Sequence, residues 1–188
     1  LTDRLNWELF YNQGQTKVTD VQGGGVLIDN FANGFLTDPN DPYSCATDDP
    51  DCVVLNPFGL NSLTPEMIDY INTDLTNITT IRQKQVGANI TGSLFTLPAG
   101  DVGVSLGAEY RKESSAFDPD QLYVMGKALS RSAGLSPTAG SFDVAEVYTE
   151  LYVPLLADMP GVELLAFEGG ARFSDYSTAG SVWSYKLG

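Results

Sequence analysis

Six segments of this chain alternate apolar and polar residues with a period of two, and that pattern limits the fold more than any other feature. In Leu5-Asn-Trp7-Glu-Leu9-Phe-Tyr11-Asn12 the odd positions are apolar or aromatic. Gln85–Leu94 sets Val86, Ala88, Ile90 and Leu94 against Gln85, Asn89, Thr91 and Ser93, and Val102–Arg111 sets Val104, Leu106 and Ala108 against Ser105, Glu109 and Arg111. Ala145–Val153 opposes Val147 and Leu151 to Glu146, Tyr148, Glu150 and Tyr152. Leu165–Phe173 keeps Glu168 and Arg172 on its polar side, and Val182–Leu187 carries the row Trp183, Tyr185, Leu187. Successive side chains of a strand point to opposite faces, so each segment reads as a strand with one apolar and one polar face.

The connections segregate by length. Long ones cover about 21–80, 114–141 and, more modestly, 175–180, while tight turns fall at about 97–101 and 157–161. In an up-and-down antiparallel sheet every second connection lies on the same edge, so long loops emerge at one end and short turns at the other. The expected fold is all-β with about six antiparallel strands. One helix is expected, in the first long loop, at Thr64-Pro65-Glu66-Met67-Ile68-Asp-Tyr-Ile71, where Thr64 caps and Pro65 suits the first helical position. Between Asp38 and Asp51 lie five Asp and three Pro without a base, a stretch expected to be an exposed irregular loop with neither helix nor strand.

Charge and composition then remove functions. With 24 acids, 10 bases and a net charge of −14, a nucleic-acid partner is not expected. Histidine is absent, which removes Ser-His-Asp and Cys-His catalysis and most zinc sites. No apolar run is long enough for a membrane helix, a test that does not bear on a membrane β-structure, whose apolar signal is diluted by alternation. Residues Leu1-Thr-Asp-Arg4 carry no signal-peptide pattern. Cys45 and Cys52 read best as a local disulfide in an oxidising compartment, with two free thiols as the alternative.

Strands of about ten residues tilted about 40° span the roughly 25 Å apolar band of an outer membrane, and Trp7, Tyr11, Phe95, Phe173, Trp183 and Tyr185 near strand ends suit the headgroup levels. The alternative is a secreted soluble β-sandwich ligand- or carbohydrate-binding module with an acidic disulfide-pinned loop. Against it stand the connection lengths and the charges Glu109, Arg111, Glu113, Glu146, Glu150, Glu168 and Arg172 on the polar faces, which are expected to pair across strands.

Cys45 with Cys52-Val-Val-Leu-Asn-Pro-Phe-Gly59, Leu97-Pro-Ala-Gly100, Gly107-Ala-Glu-Tyr-Arg-Lys-Glu113, Phe142-Asp-Val-Ala-Glu-Val-Tyr148, Val153-Pro-Leu-Leu156 and Gly170-Ala-Arg-Phe-Ser-Asp-Tyr-Ser177 occur in an order and spacing that resembles the barrel of TonB-dependent outer-membrane receptors. The resemblance covers most of the chain and is strongest from Gln85 onward. It implies a 22-stranded transporter importing a siderophore, saccharide, cobalamin or other large nutrient through the Gram-negative cell outer membrane. Its partners would be outer-membrane lipid, a plug domain, further barrel strands and the TonB complex. No plug, TonB box or closing strand with a terminal aromatic is legible, so the chain looks like a middle slice expected not to persist as a soluble monomer.

The expected sites follow from this frame. Tyr43, Phe117 and Tyr123 are candidate ligand-capture aromatics of the long loops, and Glu109, Arg111, Glu146, Glu150, Glu168 and Arg172 are candidate luminal wall charges. No metal, cofactor or catalytic residue is assigned. Asp48, Asp49 and Asp51 form a weak Ca²⁺ candidate whose spacing matches no EF-hand. Gly103-Val-Ser105-Leu-Gly107 fits the nucleophile-elbow string by chance, inside a strand and without a histidine partner. Glu146 and Glu150 on one strand stand about 13 Å apart, outside glycosidase geometry. Asn77-Ile-Thr79 and Asn89-Ile-Thr91 match the glycosylation sequon without force in a bacterial strand.

Overall fold

A computed structural model describes residues 4–129 and 134–188; the N-terminal residues 1–3 and the 130–133 part of the 114–141 connection lie outside the described residues. The chain is all-β with an antiparallel sheet of seven strands, in the order β6-β1-β4-β5-β7-β8-β9. The strands are β1 (Leu5–Leu27), β4 (Asn72–Leu97), β5 (Gly100–Asp118), β6 (Ala128–Leu129), β7 (Thr138–Met159), β8 (Val162–Tyr176) and β9 (Gly180–Leu187). A separate hairpin pairs β2 (Thr37–Asp38) with β3 (Asp41–Cys45), and three short helices are α1 (Ile28–Gly34), α2 (Pro65–Ile71) and α3 (Gln121–Val124).

All six expected strands are present, in chain order across the sheet, and β6 adds a seventh beside β1 through Val26↔Leu129 and Leu27↔Ala128. The sheet is not closed into a barrel. Both tight turns are where they were expected. Pro98-Ala99 joins β4 to β5, and Pro160-Gly161 joins β7 to β8 with Gly161 at φ 85°, a left-handed conformation that favours glycine.

Several boundaries need correction. The first long connection is not 21–80 but 28–71, because β1 continues to Leu27 and β4 begins at Asn72. The second narrows from 114–141 to 119–137, and the third is no loop at all, since only residues 177–179 separate β8 from β9. The helix at Pro65 is borne out, with the Thr64 hydroxyl accepting from Met67 N at 3.3 Å, but α1 and α3 accompany it. Residues 38–51 are not free of strand. Asp41 holds the β3 turn by accepting from Tyr43 N at 3.1 Å and from the Ser44 hydroxyl at 2.6 Å, bonds that keep its carboxyl below the ordinary range.

The chain forms two compact units, and β1, β4, β5 and β7 contribute residues to both. The first comprises residues 1–16, 81–115 and 140–188. Its described residues are strand apart from the turns, and few side chains among them are buried: Val102, Val144, Pro154 and Ser174. The second comprises residues 17–80 and 116–139 and has an ordinary core, in which Leu75, Tyr123 and Ala128 pack with Leu122 and Leu135. Asp120 caps α3 by accepting from Leu122 N at 2.9 Å, and also accepts from Thr76 N of β4 at 2.9 Å while its own N–H reaches Asn77 Oδ1 at 3.1 Å. Asn77 is buried and would otherwise lose its water without return.

Candidate functional site

The strand parity of the first unit assembles two unlike faces. On the polar face, the β7–β8 register sets Glu146 against Ser174, Tyr148 against Arg172, Glu150 against Gly170 and Tyr152 against Glu168. The β8–β9 register adds Ser184 beside Arg172 and Lys186 beside Gly170. From β5 come Gly103, Ser105, Gly107, Glu109, Arg111 and Glu113, from β4 Gln85, Gly87 and Asn89, and from β1 Glu8, Phe10 and Asn12.

A lateral chain of contacts crosses this face. The Arg172 guanidinium lies 5.0 Å from the centroid of the Tyr148 ring, a cation–π distance. Tyr148 lies flat over Gly107 of β5, where only the missing side chain leaves room, and its hydroxyl donates to Asn89 Oδ1 of β4 at 2.6 Å. Asn89 Nδ2 reaches Glu8 Oε2 of β1 at 3.5 Å. Phe10 covers Gly87 in the same manner. Five strands are thus linked by side chains as well as by their backbone ladders.

The six expected wall charges are all on this face, but their pairing differs from expectation. Arg111 sits between Glu109, at 3.2 Å, and Glu113, at 2.8 Å, all on β5, so these ion pairs run along one strand. Side chains two apart on a strand share a face, and the long guanidinium reaches both. Arg111 Nε is buried and close to Glu113 yet off the hydrogen-bond direction, so that contact is ionic only. The cross-strand pair is Glu168 with Lys186 at 3.4 Å, a lysine that the alternation placed on the polar side of the last strand but that was not singled out. Glu146 accepts from the Ser174 hydroxyl, and Arg172 takes an aromatic face instead of a carboxylate. Two shallow cavities of about 320 and 310 Å³ share Glu150 and Lys186 and open where Gly103 and Gly170 carry no side chain. A third, of about 380 Å³, is mainly apolar and is lined by Ile81, Ser115, Gly140, Phe142 and Thr178.

The other face is apolar and exposed. Phe173 pairs with Trp183 and Ala171 with Tyr185, with ring centroids 5.0 Å apart for Phe173–Trp183 and 6.0 Å for Trp183–Tyr185. Trp7 is 66% exposed and Trp183 57%. Leu9, Tyr11, Val86, Ile90, Leu106, Tyr110, Val147, Leu151, Phe167, Tyr185 and Leu187 are likewise exposed. Such a row over six strands far exceeds the scattered apolar side chains of an ordinary soluble surface.

In the second unit the disulfide between Cys45 and Cys52 is formed. Of the capture aromatics, only Tyr43 is as exposed as expected, at 90%. Phe117 is half-buried within β5, not in a loop. Tyr123 is a correction as well: it is 2% exposed, in the core with Leu75 and Ala128, and its hydroxyl donates to Gln22 Oε1 at 3.0 Å. At the weak Ca²⁺ candidate Asp48, Asp49 and Asp51, as elsewhere among the described residues, no three His, Cys, Asp or Glu side chains gather in an arrangement that could hold a metal ion. Asp49 instead accepts from the Tyr70 hydroxyl at 2.8 Å and, at 3.0 Å, from Asp51 N. Burial first, then the Asp49 carboxylate, pushes the Tyr70 phenol above its ordinary pKa of 10.0. Asp49, Asp51, Glu66, Asp69 and Tyr70 line an open cavity of about 600 Å³. No protein-family model, no curated protein and no solved structure matches this chain.

Proposed function

We propose that this chain is part of the wall and outer mouth of an outer-membrane β-barrel receptor of the TonB-dependent type, a non-enzymatic importer of a large nutrient such as a siderophore, saccharide or cobalamin. The observation that carries the barrel is the first unit's sheet, with a hydrogen-bonded polar face backing an uncovered row of exposed apolar and aromatic side chains. A wall strand between lipid and an aqueous interior needs this division. A soluble sandwich needs a second sheet over the apolar row, and among the described residues the other sheet has only two strands. The nutrient class rests on the sequence resemblance alone. In this reading the segments 28–71 and 119–137 are extracellular, the wall charges face the solute path, and plug, remaining strands and TonB complex are its partners.

The test is made on the complete protein. After cell fractionation it is expected with the outer membrane, and in phosphatidylcholine vesicles brominated acyl chains are expected to quench Trp7 and Trp183, with quenching reduced in Trp7→Phe and Trp183→Phe. Recovery in the soluble fraction with unquenched tryptophans would sink the barrel. Nutrient uptake that survives loss of the TonB complex would sink the transporter type while leaving the barrel standing.

A further inference from the structure

The apolar face of the first unit does not stay apolar. On β1 it passes from Tyr11 to Gln13 and Gln15, on β4 from Val86 to Lys84 and Arg82, and on β5 from Tyr110 to Lys112. The alignment follows from the bonds on the opposite face. Asn12 Nδ2 donates to Gln85 Oε1 at 3.4 Å and Gln83 Nε2 to Glu113 Oε1 at 3.3 Å. In antiparallel neighbours those pairs put Gln13 beside Lys84, and Lys84 beside Lys112, on the outer side. Arg82 sits two residues further along, its Nε donating to Gln15 Oε1 at 2.8 Å.

Three of the chain's 10 bases therefore share one patch, although its net charge is −14. All three are exposed, and among the described residues none forms an ion pair. Asp143 of β7 shares the outer parity, but it makes no ion pair with Lys112, and its backbone is tied to Ser177. Like charges side by side on neighbouring strands repel, so Lys84 next to Lys112 is a local cost unless an anion lies between them. The aromatic pair that precedes them, Tyr11 and Tyr110, is the residue type that sits at headgroup level. One step beyond that level lie lipid phosphates.

We propose that Arg82, Lys84 and Lys112 form a binding site for the phosphate headgroup of an anionic lipid in the leaflet on the long-loop side, with Gln13 and Gln15 as neutral hydrogen-bonding neighbours. The proposal rests on the barrel reading above and adds to it a lipid partner and a place. A basic side chain near an anionic membrane surface contributes about 1 kcal/mol, so each lysine changes lipid preference about fivefold.

The complete protein in detergent is titrated with dioleoyl phosphatidic acid or dioleoyl phosphatidylcholine, and bound lipids are counted by native mass spectrometry. A clear preference for phosphatidic acid is expected, reduced about fivefold by Lys84→Gln and again by Lys112→Gln, and unaffected by excess inorganic phosphate. Lys127→Gln, in the other unit, is expected to change nothing. Equal binding of both lipids, a preference indifferent to both glutamine variants, or displacement by inorganic phosphate would each overturn the site. Brominated-phosphatidylcholine quenching of the same preparation separates the two claims. Quenching without lipid preference defeats only the lipid site, whereas absent quenching defeats the barrel on which it rests.

Discussion

Tyr148 and Gly107 make a single joint, and neither residue explains itself alone. The ring needs the empty position, and the hydroxyl needs Asn89 one strand further on. A Cβ at position 107 would stand inside the Tyr148 ring, whereas one at Gly103 would meet Tyr152 at an ordinary 3.5 Å. Gly107→Ala is therefore expected to destabilise the complete protein by about 1–3 kcal/mol, the usual cost of overpacking. Gly103→Ala should stay within about 0.5 kcal/mol. Tyr148→Phe keeps the ring and loses one hydrogen bond, for about 1 kcal/mol. Denaturant midpoints of the three variants check all of this, and equal costs at 103 and 107 would refute the joint. The parity of these residues was legible in the sequence, since Gly103, Ser105 and Gly107 alternate with Val104 and Leu106. Their partnership was not, because a glycine bears no mark of the aromatic that will cover it from another strand. The same limit applies to Tyr123, whose burial depends on Leu75 and Gln22, both far from it in sequence, as well as on the nearby Ala128.

Among the elements, α2 announced itself because its signals are local: Thr64 to cap, Pro65 at the first turn. Helix α1 follows Leu27 without a side-chain cap, and β6 has two residues, so neither carries a local signature. The far half of β1, from Gln13 to Val26, shows no clean alternation because its few apolar residues, Val18, Val21 and Val26, fall on both sides among polar residues and glycines; most of it is exposed, and its backbone pairing with neighbouring strands keeps it a strand. Where α2 meets the disulfide loop, the contact is the Tyr70 hydroxyl on Asp49. The phenol's pKa is raised above 10.0, by burial first and Asp49 second, so the neutral form is the one the fold favours. The contact thus contributes fully below pH 10.0 and is lost as pH rises through the raised value. Tyrosinate absorbance should show one phenol titrating late, absent in Tyr70→Phe and shifted down in Asp49→Asn. An unchanged titration in Asp49→Asn would refute the assignment. At α3, Asp120→Ala removes acceptors from Thr76 N and Leu122 N together. It is expected to cost about 1–3 kcal/mol and to open residues 119–129 to limited proteolysis more readily than in the wild type.

For the whole molecule the question is which solvent meets the apolar face, and depth decides it. Leu106 and Gln13 both lie on that face and are both exposed, the first within the apolar stretch of β5 and the second past the Tyr11 level of β1. If water covered them, an arginine at either position would cost nearly nothing, as at any exposed surface. Lipid treats them differently. In a bilayer Leu106→Arg should cost about 2–4 kcal/mol and Gln13→Arg about 0–1 kcal/mol, because the penalty for a cation falls from midplane to interface. A dry protein interface over the row would also penalise Leu106→Arg, but it would be blind to acyl-chain length. Thicker bilayers extend the hydrocarbon toward the strand ends, so the Gln13→Arg cost should rise with lipid chain length while the Leu106→Arg cost stays level. Unfolding free energies of the complete protein in vesicles of two lipid lengths supply the comparison. Equal costs at the two sites, or costs independent of thickness, would mean that this face meets something other than lipid.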